Sequence, residues 1–319
     1  MRELQFTNGD TMPALGLGTW KSKPNEVYEA VLQALKVGYR HIDCAPIYKN
    51  EQEIGKALSR AFAEGWVSRE EVWITSKLWN DSHLPEDVLP AMKATLADLQ
   101  LEYLDLYLVH WPVAIKKGVD FPSAKEDFLS YEEAPLSDTW KEMETLHQKG
   151  LTRHIGVSNF NTSKLEEIRE VASKQPELNQ VELHPYLPQN ELKGYCEEHS
   201  ILMTGYGPLG AAYRVANNEV DFPLLLEDKV LNRIGSKHGA TAAQVALAWA
   251  LERNTSVVPK SVHPQRIQEN FNAAKLHLDA EDMSLLNKLE GPYRYTPGPA
   301  WVVNGSPYTY ADLWQEFIN

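Results

Sequence analysis

Eight times along the chain a short apolar run is followed by a longer stretch of helical periodicity. The strand-like runs are Leu15–Thr19, Arg40–Asp43, Val72–Ser76, Leu104–His110, His154–Val157, Gln180–Leu183, Leu202–Tyr206 and Ser256–Pro259. The helical stretches that follow are Pro24–Val37, Glu51–Phe62, Pro85–Leu99, Ser137–Lys149, Thr162–Ala172, Gln189–His199, Ala240–Glu252 and Gln265–Asn272. Alternation of this kind calls for a parallel sheet, and eight units call for closure into a (β/α)8 barrel, an α/β fold of the TIM type. A chain of 319 residues with no visible linker suits one domain over 1–319. Ahead of the first unit, Glu3–Phe6 and Thr11–Pro13 flank an Asn8-Gly9-Asp10 turn, which predicts an N-terminal β-hairpin at the barrel floor. Two segments break the alternation. They are the insert Pro112–Pro135 and the tail Pro292–Asn319, rich in Pro, Gly, Tyr and Trp. Long irregular segments of this sort are expected to form lids or binding loops.

The carboxyl ends of barrel strands are where residues distant in sequence converge for chemistry. Asp43 ends the run HIDC, with Tyr48 just beyond it. Lys77 follows VWITS, and His110 ends LDLYLVH. Taken singly, each has an ordinary reading as a strand cap, a half-buried tyrosine or a core histidine. Lys77 is the odd one, because an ammonium at a buried strand end needs a partner. Taken together they describe a site that protonates a carbonyl oxygen. Tyr48 carries the proton, Lys77 is expected to lower the phenol's pKa, Asp43 holds Lys77 charged, and His110 bonds the substrate oxygen. The carbonyl carbon then needs a hydride, which no side chain supplies, so a nicotinamide cofactor is implied.

Other classes are disfavoured. A net charge of −13 argues against nucleic acid and against an anionic membrane surface. No run of about 20 apolar residues is present to span a bilayer. The N-terminus lacks a signal-peptide core, and two cysteines, Cys44 and Cys196, suit reduced thiols, so a cytoplasmic location is expected. Cys44 reads as a small buried filler. There is no HExxH or paired Cys/His spacing for a metal, and no GxSxG elbow for a serine hydrolase. Gly16-Leu17-Gly18-Thr19-Trp20-Lys21 lacks the third glycine of a dinucleotide fingerprint, so a dinucleotide must bind by another route.

GLGTWK, GYRHIDCAPIYKNEQEIGKAL, ITSKLWN, YLDLYLVHWP, HIGVSNF, NQVELHPY and VPKSVHPQRIQENF occur in that order. With these motifs the chain resembles an aldo-keto reductase, from the hairpin to at least Asn270. The resemblance implies NADP(H) bound in an extended pose across the strand ends, with Tyr48 as proton donor, Asp43 and Lys77 tuning it, and His110 orienting the carbonyl. Ser158, Asn159 and Gln180 would hold the carboxamide and Tyr206 would stack on the nicotinamide. Lys21 would lie near the pyrophosphate, with Thr19, Trp20, Asp43 and Leu209 completing the channel. Lys260, Ser261, Val262, Arg266, Glu269 and Asn270 would form the 2′-phosphate and adenine site. This last segment is also a helix start carrying cations, which suits a phosphate unaided.

Trp20, Trp79 and Trp111, with Ile47 and His110, would line the substrate cleft, joined from the loops by Phe121 and Trp301. Clustered indoles make an apolar cleft that favours aromatic and medium-chain aldehydes over open-chain sugars. Two departures stand out. Gly207 occupies a position commonly Ser. Tyr213-Arg214 stands where some relatives hold an Asp that latches a loop to lysines over the cofactor, so faster cofactor release is expected. The resulting expectation is a monomeric NADPH-dependent reductase of aldehydes, and of dicarbonyls and ketones. An aldose- or ketone-selective reductase and a non-enzymatic cofactor-binding barrel are the alternatives. The intact Asp43, Tyr48, Lys77 and His110 set argues against the latter.

Overall fold

The computed structural model begins with a hairpin of β1 (Glu3–Gln5) and β2 (Thr11–Pro13), antiparallel with Leu4 opposite Met12. Residues 2–289 and 291–315 are described; the last four residues of the tail, 316–319, lie outside them. Leu4 and Met12 are buried, so the hairpin's inner face is its apolar face. Phe6, just past β1, stacks on His154 at 4.0 Å and on Trp73 at 5.4 Å. Those two residues lie at the entrances of barrel strands, so the hairpin covers the floor as its turn signal predicts.

Eight parallel strands follow in chain order: β3 (Leu17–Gly18), β4 (His41–Asp43), β5 (Trp73–Leu78), β6 (Leu104–Val109), β7 (Thr152–Ser158), β8 (Leu178–Glu182), β9 (Leu202–Tyr206) and β10 (Ser256–Val257). The sheet closes on itself. Leu15 bridges Val257 and Gly18 bridges Lys260, both parallel, and Gly16 N donates to Val257 O at 2.9 Å. Gly18 is required at this seam, because a Cβ there would stand 2.5 Å from the Val258 carbonyl oxygen. Every residue of β5 and β6 is buried, as expected of strands covered by side chains within and helices without.

The outer helices are α1 (Glu26–Val37), α2 (Glu51–Ala63), α3 (Pro85–Leu99), α4 (Leu136–Gln148), α5 (Thr162–Arg169), α6 (Asn190–Glu198), α7 (Ala212–Ala216), α8 (Lys229–His238), α9 (Ala242–Glu252), α10 (Pro264–Asn272), α11 (Ala280–Leu286) and α12 (Tyr310–Trp314). In α1 five of the six buried residues, Val27, Ala30, Val31, Ala34 and Leu35, recur at spacings of three and four as one stripe against the barrel, with Leu32 at its edge. By contrast α9 is buried along nearly its whole length, with α8 and α10 packed beside it. Helices α7, α8, α11 and α12 were not among the expected eight. The reason is physical in α8, where only Leu231, Ile234 and Gly235 are buried among polar neighbours. The stripe is one-sided but spans barely two turns, and α8 precedes α9 between β9 and β10, where the strand–helix alternation calls for a single helix.

One apolar core fills the barrel and the space under its helices. A second sits above the carboxyl ends of the strands. There Ile47, Trp79, Trp111, Phe128, Trp301, Tyr308 and Trp314 bring the insert and the tail together. Tyr308 fastens the two, its hydroxyl accepting from Ala114 N (2.9 Å) and donating to Leu129 O (2.8 Å).

Candidate active site

Three neighbouring strands deliver the expected group. Asp43 closes β4, Lys77 lies near the end of β5, and His110 follows β6, its N–H still bonded to Leu78 O at 3.1 Å. Tyr48 comes from a 3-10 turn, Pro46–Tyr48, directly after β4. Lys77 is wholly buried and Asp43 nearly so. The Lys77 ammonium donates to both Asp43 oxygens (2.9 and 2.8 Å), to Cys44 O (2.8 Å) and to the Tyr48 hydroxyl (3.4 Å). A buried ammonium thus meets a carboxylate with its other hydrogens satisfied, which is what tolerates the charge there. Gln180 Nε2 donates to Asp43 Oδ1 at 2.8 Å, and Thr19 Oγ1 to Asp43 O at 2.8 Å, fixing this residue from two further strands' ends. Cys44 is a buried free thiol whose carbonyl, not its sulfur, serves the site.

The electrostatics correct one expectation. Burial lifts the Tyr48 phenol well above its ordinary pKa, and the Asp43 carboxylate adds to the lift. Lys77, 3.4 Å from the hydroxyl, does not outweigh that lift in the resting site, because Asp43 engages its ammonium with both oxygens. The resting phenol therefore holds its proton firmly. Burial also pushes His110 well below its ordinary value, with Lys77 contributing, so the imidazole is neutral. His110 Nδ1 has no hydrogen-bond partner among the described residues, and the ring packs edge-on against Tyr48 at 5.9 Å and Trp79 at 5.1 Å.

These groups open into a cavity of about 650 Å³ that runs across the strand ends. Trp20, Ile47, Trp79, Trp111, Phe121 and Trp301 line one part. Trp301 lies 5.7 Å from Trp79, 5.5 Å from Trp111 and 6.0 Å from Phe121, ring to ring. Thr19, Lys21, Ser158, Asn159, Gln180, Tyr206, Leu209 and Lys260 line the other part. Ser158 Oγ donates to Gln180 O (2.8 Å), and Asn159 Nδ2 donates to His110 O (3.0 Å) and Ser158 Oγ (3.1 Å). Tyr206 OH closes the chain on Asn159 Oδ1 at 2.7 Å. This network ties the carboxamide candidates to the backbone of His110.

Ser261, Val262, Arg266, Glu269 and Asn270 do not line that cavity; they continue from its Lys260 end into α10. Arg266 is exposed and forms no ion pair among the described residues, whereas Glu269 Oε1 already accepts from Thr241 at 2.7 Å. Asn270 is buried. Lys260 is exposed and donates to Lys21 O at 3.3 Å. Two cations beside a helix start with no side-chain cap fit an anionic phosphate. Over the channel, Tyr213 is not idle: the Lys21 ammonium lies 4.0 Å from its ring centroid, while Arg214 pairs with Glu219 at 2.7 Å. Pro208, Gly210, Ala211, Thr296, Gly298, Pro299 and Ala300 also line the cavity. They escaped the sequence reading because loop residues carry no period that aims them anywhere.

A closed parallel barrel with this polar cluster at its strand ends defines a barrel enzyme. The model of the Aldo/keto reductase family matches residues 14–290, and the chain belongs to that family. It is 50% identical over 317 residues to Aldo/keto reductase slr0942 of Synechocystis sp., covering 99% of this chain and 97% of that protein. It is 48% identical over 289 residues to human Aldo-keto reductase family 1 member A1, covering 90% and 89% of the two chains. The solved structure of the aldose reductase from Schistosoma japonicum superposes with a TM-score of 0.84 at 42% identity, over 92% of this chain and 94% of that one. Membership makes the chain an oxidoreductase. Among the described residues no helix is long and apolar enough to cross a membrane.

Proposed function

We propose that this chain is an NADPH-dependent reductase that converts aldehydes, and dicarbonyls and ketones of similar shape, to alcohols, acting as a single-domain cytoplasmic monomer. The observation that carries this reading is the Tyr48 hydroxyl, 3.4 Å from the buried Lys77 ammonium, with its ring 5.9 Å from that of His110. When bound, the nicotinamide supplies the hydride that reduces the carbonyl carbon. The chain's own part is to bind, to orient and to deliver a proton. His110 and Tyr48 meet the carbonyl oxygen as donors. As negative charge builds there, Tyr48 gives up its proton, and the ammonium of Lys77 offsets the phenolate that results. Asp43 keeps Lys77 aimed and charged. Ser158, Asn159 and Gln180 hold the carboxamide, Tyr206 offers its ring to the nicotinamide, and Lys21, Lys260 and Arg266 meet the phosphates. The indole cleft of Trp20, Trp79 and Trp111 selects apolar aldehydes by burying their surface.

The test is Tyr48→Phe. The ring still packs on Trp20, 4.9 Å away centroid to centroid, so only the acid is lost. Turnover of an aromatic aldehyde, followed by NADPH absorbance, should fall by several orders of magnitude while NADPH still quenches tryptophan fluorescence. Retention of more than about a tenth of wild-type turnover, a loss worth under ~1.4 kcal/mol, would show that another group donates the proton.

A further inference from the structure

The start of the cavity's aromatic wall is fastened by a carboxylate that does not itself line the cavity. Glu182 ends β8, two residues after Gln180, so both lie on one face of the strand. Gln180 reaches inward to Asp43. Glu182 is 1% exposed and turns both of its oxygens to the tail. Its Oε1 accepts from Tyr295 N at 2.8 Å and its Oε2 from Thr296 N at 2.8 Å, across more than a hundred residues of chain. The ring of His184 completes the anchor, with Nε2 3.1 Å from Oε1 and the ring 5.1 Å from that of Tyr295. Gln189 Nε2 secures the Glu182 carbonyl at 3.0 Å.

Beyond Thr296 the chain forms the substrate-side wall. Gly298, at φ +77, reverses its direction; a Cβ there would lie 2.7 Å from Trp301 Cδ1 and 3.3 Å from Trp111 Cζ3. The turn Pro299–Val302 then places Trp301, 2% exposed, among Trp79, Trp111 and Phe121. The wall's far side is held separately, Trp314 Nε1 donating to Pro297 O at 2.9 Å. At 295–296 the wall is tied to a strand that also carries a residue of the polar cluster.

We propose that Glu182 is a positioning residue for substrate selection: it fixes the distance between the strand-end cluster and the Thr296–Trp301 wall. The substrates it concerns are carbonyl compounds large enough to touch that wall, such as aldehydes bearing a phenyl ring. The proposal rests on the chain being a carbonyl reductase. Short aliphatic aldehydes reach the cluster without touching the wall, so their turnover is indifferent to Glu182.

The experiment uses the full chain with Glu182→Ala and Glu182→Gln, the second isosteric and still able to accept at one oxygen. Hydrogen exchange of the segment 295–301 should quicken in both, more in Glu182→Ala, with strand segments unchanged. The KM for a phenyl-bearing aldehyde should rise by roughly tenfold in Glu182→Ala, the scale of one lost charge-assisted hydrogen bond. The kcat/KM for propanal and the Kd for NADPH should stay within about twofold, and Glu182→Gln should fall between. Equal losses for both aldehydes, or unaltered exchange at 295–296, would overturn the proposal. So would a chain that folds with neither substitution, because Glu182 would then be a residue of the fold. A wild-type protein that reduces neither aldehyde defeats the reductase reading instead, and the exchange rates then decide separately whether Glu182 anchors the wall.

Discussion

At the scale of single residues, the candidate site is a matter of which group holds its proton and how firmly. Tyr48 is raised by burial and then by Asp43, and His110 is lowered by burial and then by Lys77. Neither shift moves a titration toward neutrality; both move it away. Between about pH 6 and 9 the phenol stays protonated and the imidazole neutral, because the ordinary values are about 10 and 6.5 before the shifts are applied. For a substrate slow enough that chemistry limits turnover, kcat should therefore be flat across that range. An acid limb with an apparent pKa of about 6–7, near the ordinary histidine value, would mean that His110 titrates in the working site and shares the role of acid. The same burial makes the ion pair beneath Tyr48 a structural commitment. Removing one partner of a buried pair strands the other charge, which typically costs about 3–5 kcal/mol. Loss of turnover in Asp43 or Lys77 variants therefore has to be read beside their stability.

At the scale of elements, strand ends and loops divide the labour. β4, β5 and the residue after β6 bring the cluster together, and these were legible in the sequence because buried parallel strands are short apolar runs that stop at a polar residue. The helix start proposed to meet the cofactor's phosphate is marked in the sequence in a different way: Lys260 and Arg266 stand around Pro264, the pattern of a charged N-terminus. The structure leaves both exposed, Arg266 without an ion pair among the described residues and Lys260 at the end of the cavity it lines. Replacing both by Ala should weaken NADPH binding by two or more orders of magnitude, at roughly 1.5–3 kcal/mol per charge-assisted contact, and leave NADH nearly unchanged. Fluorescence titration with both nucleotides reads this directly, and equal losses would show that these cations do not discriminate the 2′-phosphate. The loops were not legible. Tyr213 read as the absence of an ionic latch, yet its ring lies under the Lys21 ammonium, a contact that depends on two loops meeting. Glu182 sat inside a recognised motif and looked like one more strand residue, because its partners come 113 and 114 residues later. Pairings of that reach are set by tertiary packing, which no local period encodes.

At the scale of the whole molecule, buried titratable groups set how stability runs with pH. On the acid side, burial holds His83 down to about 3 and lowers His41 and His110 as well. A folded-state pKa below the unfolded value means the unfolded chain takes up protons first, so stability falls as pH drops below about 6.5. For His83 alone the loss at pH 5 is on the order of 2 kcal/mol. Glu51 acts in the opposite direction. It is 3% exposed, accepts from Ser76 Oγ at 2.6 Å, and has an Oε2 with no partner among the described residues. Burial raises it from 4.5 to about 7. Here the unfolded chain loses its proton first, so the folded state is penalised as pH climbs from about 4.5, and the penalty is complete near 7. A shift of that size corresponds to on the order of 3 kcal/mol. Glu51→Gln keeps the oxygen that accepts from Ser76 and cannot ionise. The variant should match the wild type in urea denaturation at about pH 4 to 4.5. It should be the more stable protein by on the order of 3 kcal/mol at about pH 8, with the gap opening between those values. Using the difference between the two proteins cancels the histidines, which titrate in both. A gap that is the same at both pH values would mean that Glu51 ionises in the folded barrel as it does in the unfolded chain, and that burial there is relieved by a partner.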